Sequence, residues 1–285
     1  MDWSKAKTIL IVAFIITNIF VLYVIMDEKP ADEPTVSKEF IANVEQLLKD
    51  KGINIDTDIP TDIPHLNSVI VEFETADAQQ LNKDYFNNKG IIEYKQNIKE
   101  IKKENESILV INDRLIMYEN KREEEVYKDL DEDKAIEISK QFINNGNFDT
   151  SDMKLTFIKE ENGVFFIEYS KIYDDILVER TFTNLQVDKR GVKRFERQWL
   201  NTKELGKVDI YISTAPKALL TLLDMQEGYD KNITDISLCY YFDPERHEYL
   251  QEPGKAKQGK AIPAWRIQFN DGYKIFIDEY LRRIN

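Results

Sequence analysis

The stretch DEDKAIEISKQFINNG, residues 131–146, predicts the fold most directly. Asp131, Glu132 and Asp133 supply an N-cap and an acidic first turn, which suit the positive end of a helix dipole. Apolar and small residues then repeat at i, i+1, i+4, i+7 and i+8, namely Ala135, Ile136, Ser139, Phe142 and Ile143. This spacing is typical of a helix with one buried face, and Gly146 ends it.

The residues after Gly146 alternate between apolar and polar types, as half-buried strands do. Four strands are predicted: Met153 to Lys159, Val164 to Tyr173, Ile176 to Val187 and Val192 to Trp199. Glycine-containing turns are expected at 161–163 and 189–191, where positive φ is needed. A helix with one apolar face, followed by antiparallel strands, buries both apolar surfaces by packing the helix on the sheet.

The same plan occurs on both sides of this unit. Earlier, Ser37 caps a helix that Gly52 ends, and strands are expected at 68–75, 91–101, 108–112 and 114–119, the last two joined at Asn112-Asp113. Later, Thr214 and Pro216 begin a helix, followed by strands at 233–242, 262–269 and 273–278. The predicted class is therefore α+β, with repeated units of one helix packed on an antiparallel sheet.

An apolar segment precedes all of these units. Residues 8–26 carry no charge, and as a helix they extend about 28 Å, close to the hydrocarbon thickness of a bilayer. Lys5 and Lys7 precede the segment, whereas Asp27 and Glu28 follow it, so the N-terminus is expected in the cytoplasm. The end of the run offers no small-x-small cleavage site, which favours an uncleaved anchor over a signal peptide.

These patterns predict a single-pass protein of the cell membrane whose bulk is extracytoplasmic. Its parts are a cytoplasmic tail at 1–7, a transmembrane signal anchor at 8–26, a linker at 27–34, an N-terminal α+β domain at 35–128 and a C-terminal α+β domain at 129–285. The linker DEKPADEP lacks large apolar residues and contains two prolines, as short stiff tethers do.

Composition excludes several classes of function. The 39 basic and 52 acidic residues give a net charge of −13, which argues against nucleic acid as a partner. Cys239 is the single cysteine, and the two histidines are His65 and His247. The sequence contains no phosphate-binding loop, nucleophile elbow or paired metal motif. We therefore expect no enzyme activity, no cofactor and no metal.

Four residues are candidates for contacts with other proteins. Thr17 and Asn18 lie near the middle of the anchor, where Asn18 either bonds to a partner helix or is merely tolerated. The hydroxyl of Thr17 can instead bond to its own helix. Tyr240 and Tyr241 lie in a predicted strand, and on an exposed edge they could anchor a protein interface.

Two segments resemble the YycI family of Firmicutes. MDWSKAKTILIVAFIITNIFVLY at 1–23 resembles that family's Met-Asp-Trp start, Lys-x-Lys pair and apolar anchor, and AIPAWRIQFNDGYKIFID at 261–278 resembles its last strands. The resemblance implies a membrane-anchored accessory protein without catalytic residues. It also implies a YycH-like membrane protein as partner and a WalK-type sensor kinase, which with WalR controls cell-wall metabolism, as the regulated target.

Two other functions remain as alternatives. The strand pattern more loosely resembles PepSY-like wall-facing domains, which suggests a module that binds a peptide or a glycan. An extracytoplasmic hydrolase would require a cluster of acid, base or nucleophile, and the sequence contains none.

Overall fold

The computed structural model describes residues 36–62, 64–244 and 257–278, together with Phe14, Thr17 and Asn18. The predicted tail at 1–7, the linker at 27–34 and the anchor at 8–26, apart from those three residues, lie outside the described residues. Among the helices of the described part, none has the length and hydropathy needed to cross a bilayer.

Four α-helices are described, three of them at positions predicted from the sequence. They are α1 (Lys38–Lys49), α2 (Ala78–Phe86), α3 (Glu132–Asn145) and α4 (Ala215–Leu219), the last continued by 3₁₀ turns at Leu220–Asp224 and Gln226–Gly228. Ser37 Oγ accepts from the Phe40 amide at 3.2 Å, and Asp131 Oδ1 accepts from the Lys134 amide at 2.8 Å. Two of the three N-caps predicted from the sequence, Ser37 and Asp131, are thus confirmed, whereas Thr214 makes no side-chain hydrogen bond to its helix.

Fourteen strands form one connected sheet. They are β1 (Asn54–Ile55), β2 (His65–Phe73), β3 (Ile91–Lys95), β4 (Ile98–Lys103), β5 (Glu106–Ile111), β6 (Leu115–Asn120), β7 (Met153–Glu161), β8 (Val164–Tyr173), β9 (Ile176–Asp188), β10 (Gly191–Gln198), β11 (Leu200–Tyr211), β12 (Asn232–Tyr241), β13 (Gln258–Phe269) and β14 (Lys274–Ile277).

The main strand order is β11-β2-β13-β12-β9-β10-β6-β5-β4-β3, with β7, β8, β14 and β1 attached beside it. All recorded pairs are antiparallel except those of β12 with β1 and with β9. The α+β class with a sheet that is mainly antiparallel is therefore confirmed.

The structure differs from the predictions in two places. The strand predicted at 91–101 is the β3–β4 hairpin, because Gln96 adopts a positive φ of 50° and reverses the chain. The predictions also lacked β11, which pairs with β2 in an irregular register, with shifts at Thr202/Glu204 and at Leu205/Asp209. These shifts break the simple alternation that identifies a strand from its sequence.

The helices pack on the sheet in two groups. The helices α2 and α3 pack on β4, β8, β9 and β10 around residues such as Phe86, Ile138 and Phe195. In the second group, α1 from the N-terminal part packs with α4, β12, β13 and β14 from the C-terminal part, around Leu48 and Ile267. The division of the chain at 128/129 stays a sequence prediction, and each core contains residues from both sides of it.

Candidate functional site

One face of the C-terminal strands is polar although it is covered. On β12 and β13, Ser237 lies opposite Arg266 and Asp235 lies opposite Gln268, and Lys274 of β14 follows on the same face. The other face of these strands carries the apolar residues that pack against α1 and α4. The alternation of side chains along each strand therefore separates an apolar layer from a polar one.

Arg266 is the centre of the polar layer and is only 1% exposed. Its Nε donates to Glu179 Oε1 at 2.7 Å, and one terminal nitrogen donates to Asp235 Oδ2 at 2.7 Å. The other terminal nitrogen donates to the side-chain oxygen of Gln268. Three acceptors thus surround the planar guanidinium, which suits its fixed fork of donors.

A second cation links this layer to the strand above it. Lys274 Nζ contacts Glu168 of β8 in a short ion pair and lies 3.9 Å from Glu179 Oε2. Burial raises the pKa of Glu179, although the positive charges of Lys274 and Arg266 act in the opposite direction. Lys274 thus links β14 to β8, whereas Arg266 links β13 to β9 and β12.

A cleft of about 520 Å³ opens beside this network. It is lined by residues of β7 and β12, by Arg266 and Gln268 of β13, and by Asp175 and Leu177. Gln268 Nε2 donates across the cleft to the backbone oxygen of Thr156 at 3.3 Å. The cleft therefore combines open space, a buried cation and a backbone acceptor that a side chain already uses.

A separate buried ion pair lies between β10 and the segment that follows β2. Arg197 donates to Glu74 Oε2 at 3.0 Å and to the Thr183 hydroxyl at 2.9 Å. Its guanidinium carbon lies 4.5 Å and 4.3 Å from the ring centroids of Phe148 and Trp199. Burial lowers the pKa of Arg197, and Glu74 partly compensates. All of these partners belong to the same chain and Arg197 is buried, which assigns it to the core.

All four interaction residues predicted from the sequence belong to the described part of the chain. Tyr240 and Tyr241 are 3% and 8% exposed, because β12 lies between β13 and β9. Their expected exposure on an edge strand is therefore wrong.

Asn18 Nδ2 donates to the Phe14 backbone oxygen at 2.8 Å, and Thr17 lies beside it. An amide has two N–H groups and an acceptor oxygen, so this bond occupies one of its donors.

The buried charges were missed by the sequence predictions. Glu179 and Arg266 interrupt apolar runs in β9 and β13, and a charge inside such a run signals a buried ion pair. Cys239, as expected, is a buried free thiol, and burial raises its pKa well above the usual value. Within the described ranges, no group of three or more His, Cys, Asp or Glu residues could hold a metal ion.

Comparison with protein-family models and with curated proteins finds no match. Among solved structures, YycH from Bacillus subtilis matches with a TM-score of 0.54 and 14% identity, covering 78% of this chain and 54% of the YycH chain. The chain thus spans about half the length of that structure. At this identity the match shows a shared fold and no more.

Two further structures match more weakly. An uncharacterized protein from Eubacterium rectale has a TM-score of 0.49 and 12% identity, covering 82% of this chain and 93% of its own. The C-terminal domain of YpeB from Bacillus megaterium has a TM-score of 0.37 and 9% identity, covering 86% and 93%.

Proposed function

We propose that this chain is a non-catalytic, membrane-anchored accessory protein that acts with a YycH-like partner. Together they modulate a WalK-type sensor histidine kinase that controls cell-wall metabolism. The observation that carries the proposal is the fold shared with YycH over 78% of the chain. The YycI-like N-terminal sequence supports it, because it adds an anchor to that fold.

The chemistry of the candidate site agrees with a role that is not catalytic. Arg266, which lines the cleft, and Lys274, which shares the carboxylate Glu179 with it, are both held by carboxylates of the same chain. A general acid, base or nucleophile must instead reach a substrate. The charge network is better suited to holding two strand layers together than to moving protons.

Placement in the membrane is part of the proposal. The N-terminus is cytoplasmic, residues 8–26 span the bilayer, and the α+β part faces the cell wall. In this arrangement the anchor lies beside the membrane helices of the kinase, and the exterior part binds the YycH-like partner.

Co-purification of the full-length chain tests the proposal. The chain, the YycH-like protein and the kinase are expressed together, and each is quantified after a tag on this chain is captured. We expect both partners at near-constant ratio to the chain. Absence of the YycH-like protein from the captured material would contradict the proposal.

A matched variant separates regulation from wall sensing. Residues 8–26 are replaced by an unrelated single-span helix, which leaves the exterior part unchanged. A regulator that packs against the kinase through its anchor loses its effect on kinase output. A wall-facing module that binds a peptide or a glycan retains it, which would favour the alternative.

A further inference from the structure

The strand β7 has an open edge that faces the cleft. Within the described chain, β7 pairs with β8 and with no other strand. Residues 154–158 line the cleft consecutively. A strand that presented only one face would contribute alternate residues, because successive side chains point to opposite sides. The edge of β7, with its backbone groups, therefore forms this wall.

The opposite wall is also a strand edge. One edge of β12 is occupied by β13, and the other pairs with β1 at 232–233 and with β9 at 239–241. On this second edge, the segment 234–238 between the two contacts has no strand beside it in the described structure. Four of its residues line the cleft: Thr234, Asp235, Ser237 and Leu238. The cleft is thus a slot bordered by two open strand edges.

The hairpin geometry identifies the backbone groups that point into the slot. The β7–β8 turn consists of Asn162 and Gly163, with φ of 53° and 76°. In such a two-residue turn the flanking residues form a hydrogen-bonded pair, and bonded pairs alternate along the ladder. The N–H and C=O of Ile158 and Glu160 therefore point away from β8. Ile158 lines the cleft, whereas Glu160 lies beyond it.

The slot already accepts an amide in place of a strand. The side chain of Gln268 donates to the backbone oxygen of Thr156, at the bulge of β7. The exposed charges at the mouth are Lys154 and Asp175, and half-buried Asp235 adds a second carboxylate. Glu179 balances the charge of Arg266 and Glu168 balances that of Lys274, so Asp235 adds one uncompensated negative charge although it also contacts Arg266. The accessible charge therefore favours a basic residue in whatever binds.

We propose that this slot binds an extended segment of a partner protein, which adds to the edge of β7 as a strand. Backbone groups of the segment bond to Ile158, and a basic side chain lies near Asp175 and Asp235. Recognition through the main chain tolerates varied side chains, as strand addition does elsewhere. The inference goes beyond the regulatory role proposed above, and its test does not involve the kinase.

Three variants isolate the edge. Ile158→Pro removes an edge-facing N–H without removing a ladder bond to β8, and proline is tolerated on edge strands. Glu160→Pro makes the same change just outside the slot and is the matched control. Ser237→Trp fills the slot from the β12 wall without altering β7. Thermal unfolding of each variant identifies any that fails to fold.

The probe is a displayed library of random decapeptides, selected on the purified full-length chain in detergent. Enriched peptides are synthesised and titrated by fluorescence anisotropy. We expect binding at least tenfold weaker to Ile158→Pro and to Ser237→Trp, and unchanged binding to Glu160→Pro. A bound peptide can be N-methylated at its odd-numbered or at its even-numbered amides. Because only alternate backbone groups of an added strand face β7, one of these two patterns should abolish binding and the other should not.

Three results would overturn the inference. The first is a selection in which no peptide distinguishes the wild-type chain from Ser237→Trp. The second is equal binding of the selected peptides to folded Ile158→Pro and to the wild type. The third is binding of a cell-wall glycan oligomer that Ser237→Trp abolishes and that the peptides do not displace, which would assign the slot to a glycan.

Discussion

Arg266 Nε lies 2.7 Å from Glu179 Oε1, in an ion pair between β13 and β9 whose two side chains are 2% and 4% exposed. Glu179 lies where β9 pairs with β12, so the ion pair connects β13 to β9, and β9 pairs in turn with β8. A buried charge is strongly destabilising once its partner is removed, because it then has neither water nor a counterion.

Arg266→Met should therefore lower the free energy of unfolding by about 3–5 kcal/mol, since it leaves Glu179 buried beside fewer cations. Arg194→Met is the control, because Arg194 lies 3.7 Å from Glu119 at the exposed surface. That change should cost no more than about 1 kcal/mol. Urea unfolding of the two variants measures the difference, and equal losses would show that the buried pair is not structurally important.

Arg197→Lys should destabilise the protein by about 1–3 kcal/mol although the charge is kept. Lysine cannot lie flat between Phe148 and Trp199, and it cannot donate to Glu74 and Thr183 in one plane. Arg194→Lys provides the exposed comparison and should leave the unfolding midpoint nearly unchanged. A stable Arg197→Lys variant would mean that charge alone is required at this position.

Gly259→Ala tests a close approach between β13 and a buried ring. A Cβ at this position would lie 2.2 Å from Cε2 of Phe242, which is fully buried. Because the ring cannot move into solvent, we expect a loss of about 1–3 kcal/mol. Gly163→Ala has open space around it and a φ of 76°, so its cost should be only about 1 kcal/mol of backbone strain. Thermal unfolding that ranks the two variants in reverse would contradict this packing.

Alkaline pH should destabilise the fold through Tyr118. Burial, then the hydrogen bond to Glu106 and its charge, raise the pKa of this phenol above the ordinary value of 10.0. Since the folded-state pKa exceeds the unfolded one, its contribution to stability is complete below pH 10.0 and is lost as the pH rises above that value. By about pH 11 the free energy of unfolding of the wild type should have fallen by about 1.4 kcal/mol, and Tyr118→Phe should not show this loss. Parallel pH profiles of the two proteins would contradict the prediction.

Asn18→Leu should weaken association with the membrane partners several-fold without lowering the membrane level of the chain. Interhelical bonds of an amide in lipid are worth about 1 kcal/mol. The bond from Asn18 to Phe14 uses one N–H group of the amide, and the change removes the whole amide. Thr17→Leu is the comparison at matched expression. If Asn18→Leu co-purifies with both partners at the wild-type ratio, then Asn18 is merely tolerated in the anchor.

Local signals account for the elements that were predicted correctly. Ser37 and Asp131 mark helix starts, and Asn112-Asp113 adopts the two positive φ angles of a tight hairpin. Each of these features depends on neighbouring residues alone, which is why the sequence indicates them. The turn at Gln96 was missed because glutamine is not among the residues that favour positive φ.

The candidate site depends on pairings that no local pattern encodes. Glu179 and Arg266 are 87 positions apart, and their strands do not pair with each other directly. The position of β12 between β13 and β9 likewise decides that Tyr240 and Tyr241 are buried. Strand order over such separations follows from how all the apolar faces pack together, and one strand's sequence does not contain it.

Autophosphorylation of the kinase in vesicles tests the proposed function most directly. The WalK-type kinase is reconstituted alone, with the YycH-like protein, and with that protein plus the full-length chain or its anchor-exchanged form. We expect that the chain with its own anchor changes the phosphorylation rate in the presence of the YycH-like protein, and that the anchor-exchanged form has a much smaller effect. An unchanged rate in all mixtures, with every protein incorporated at equal ratio, would contradict it.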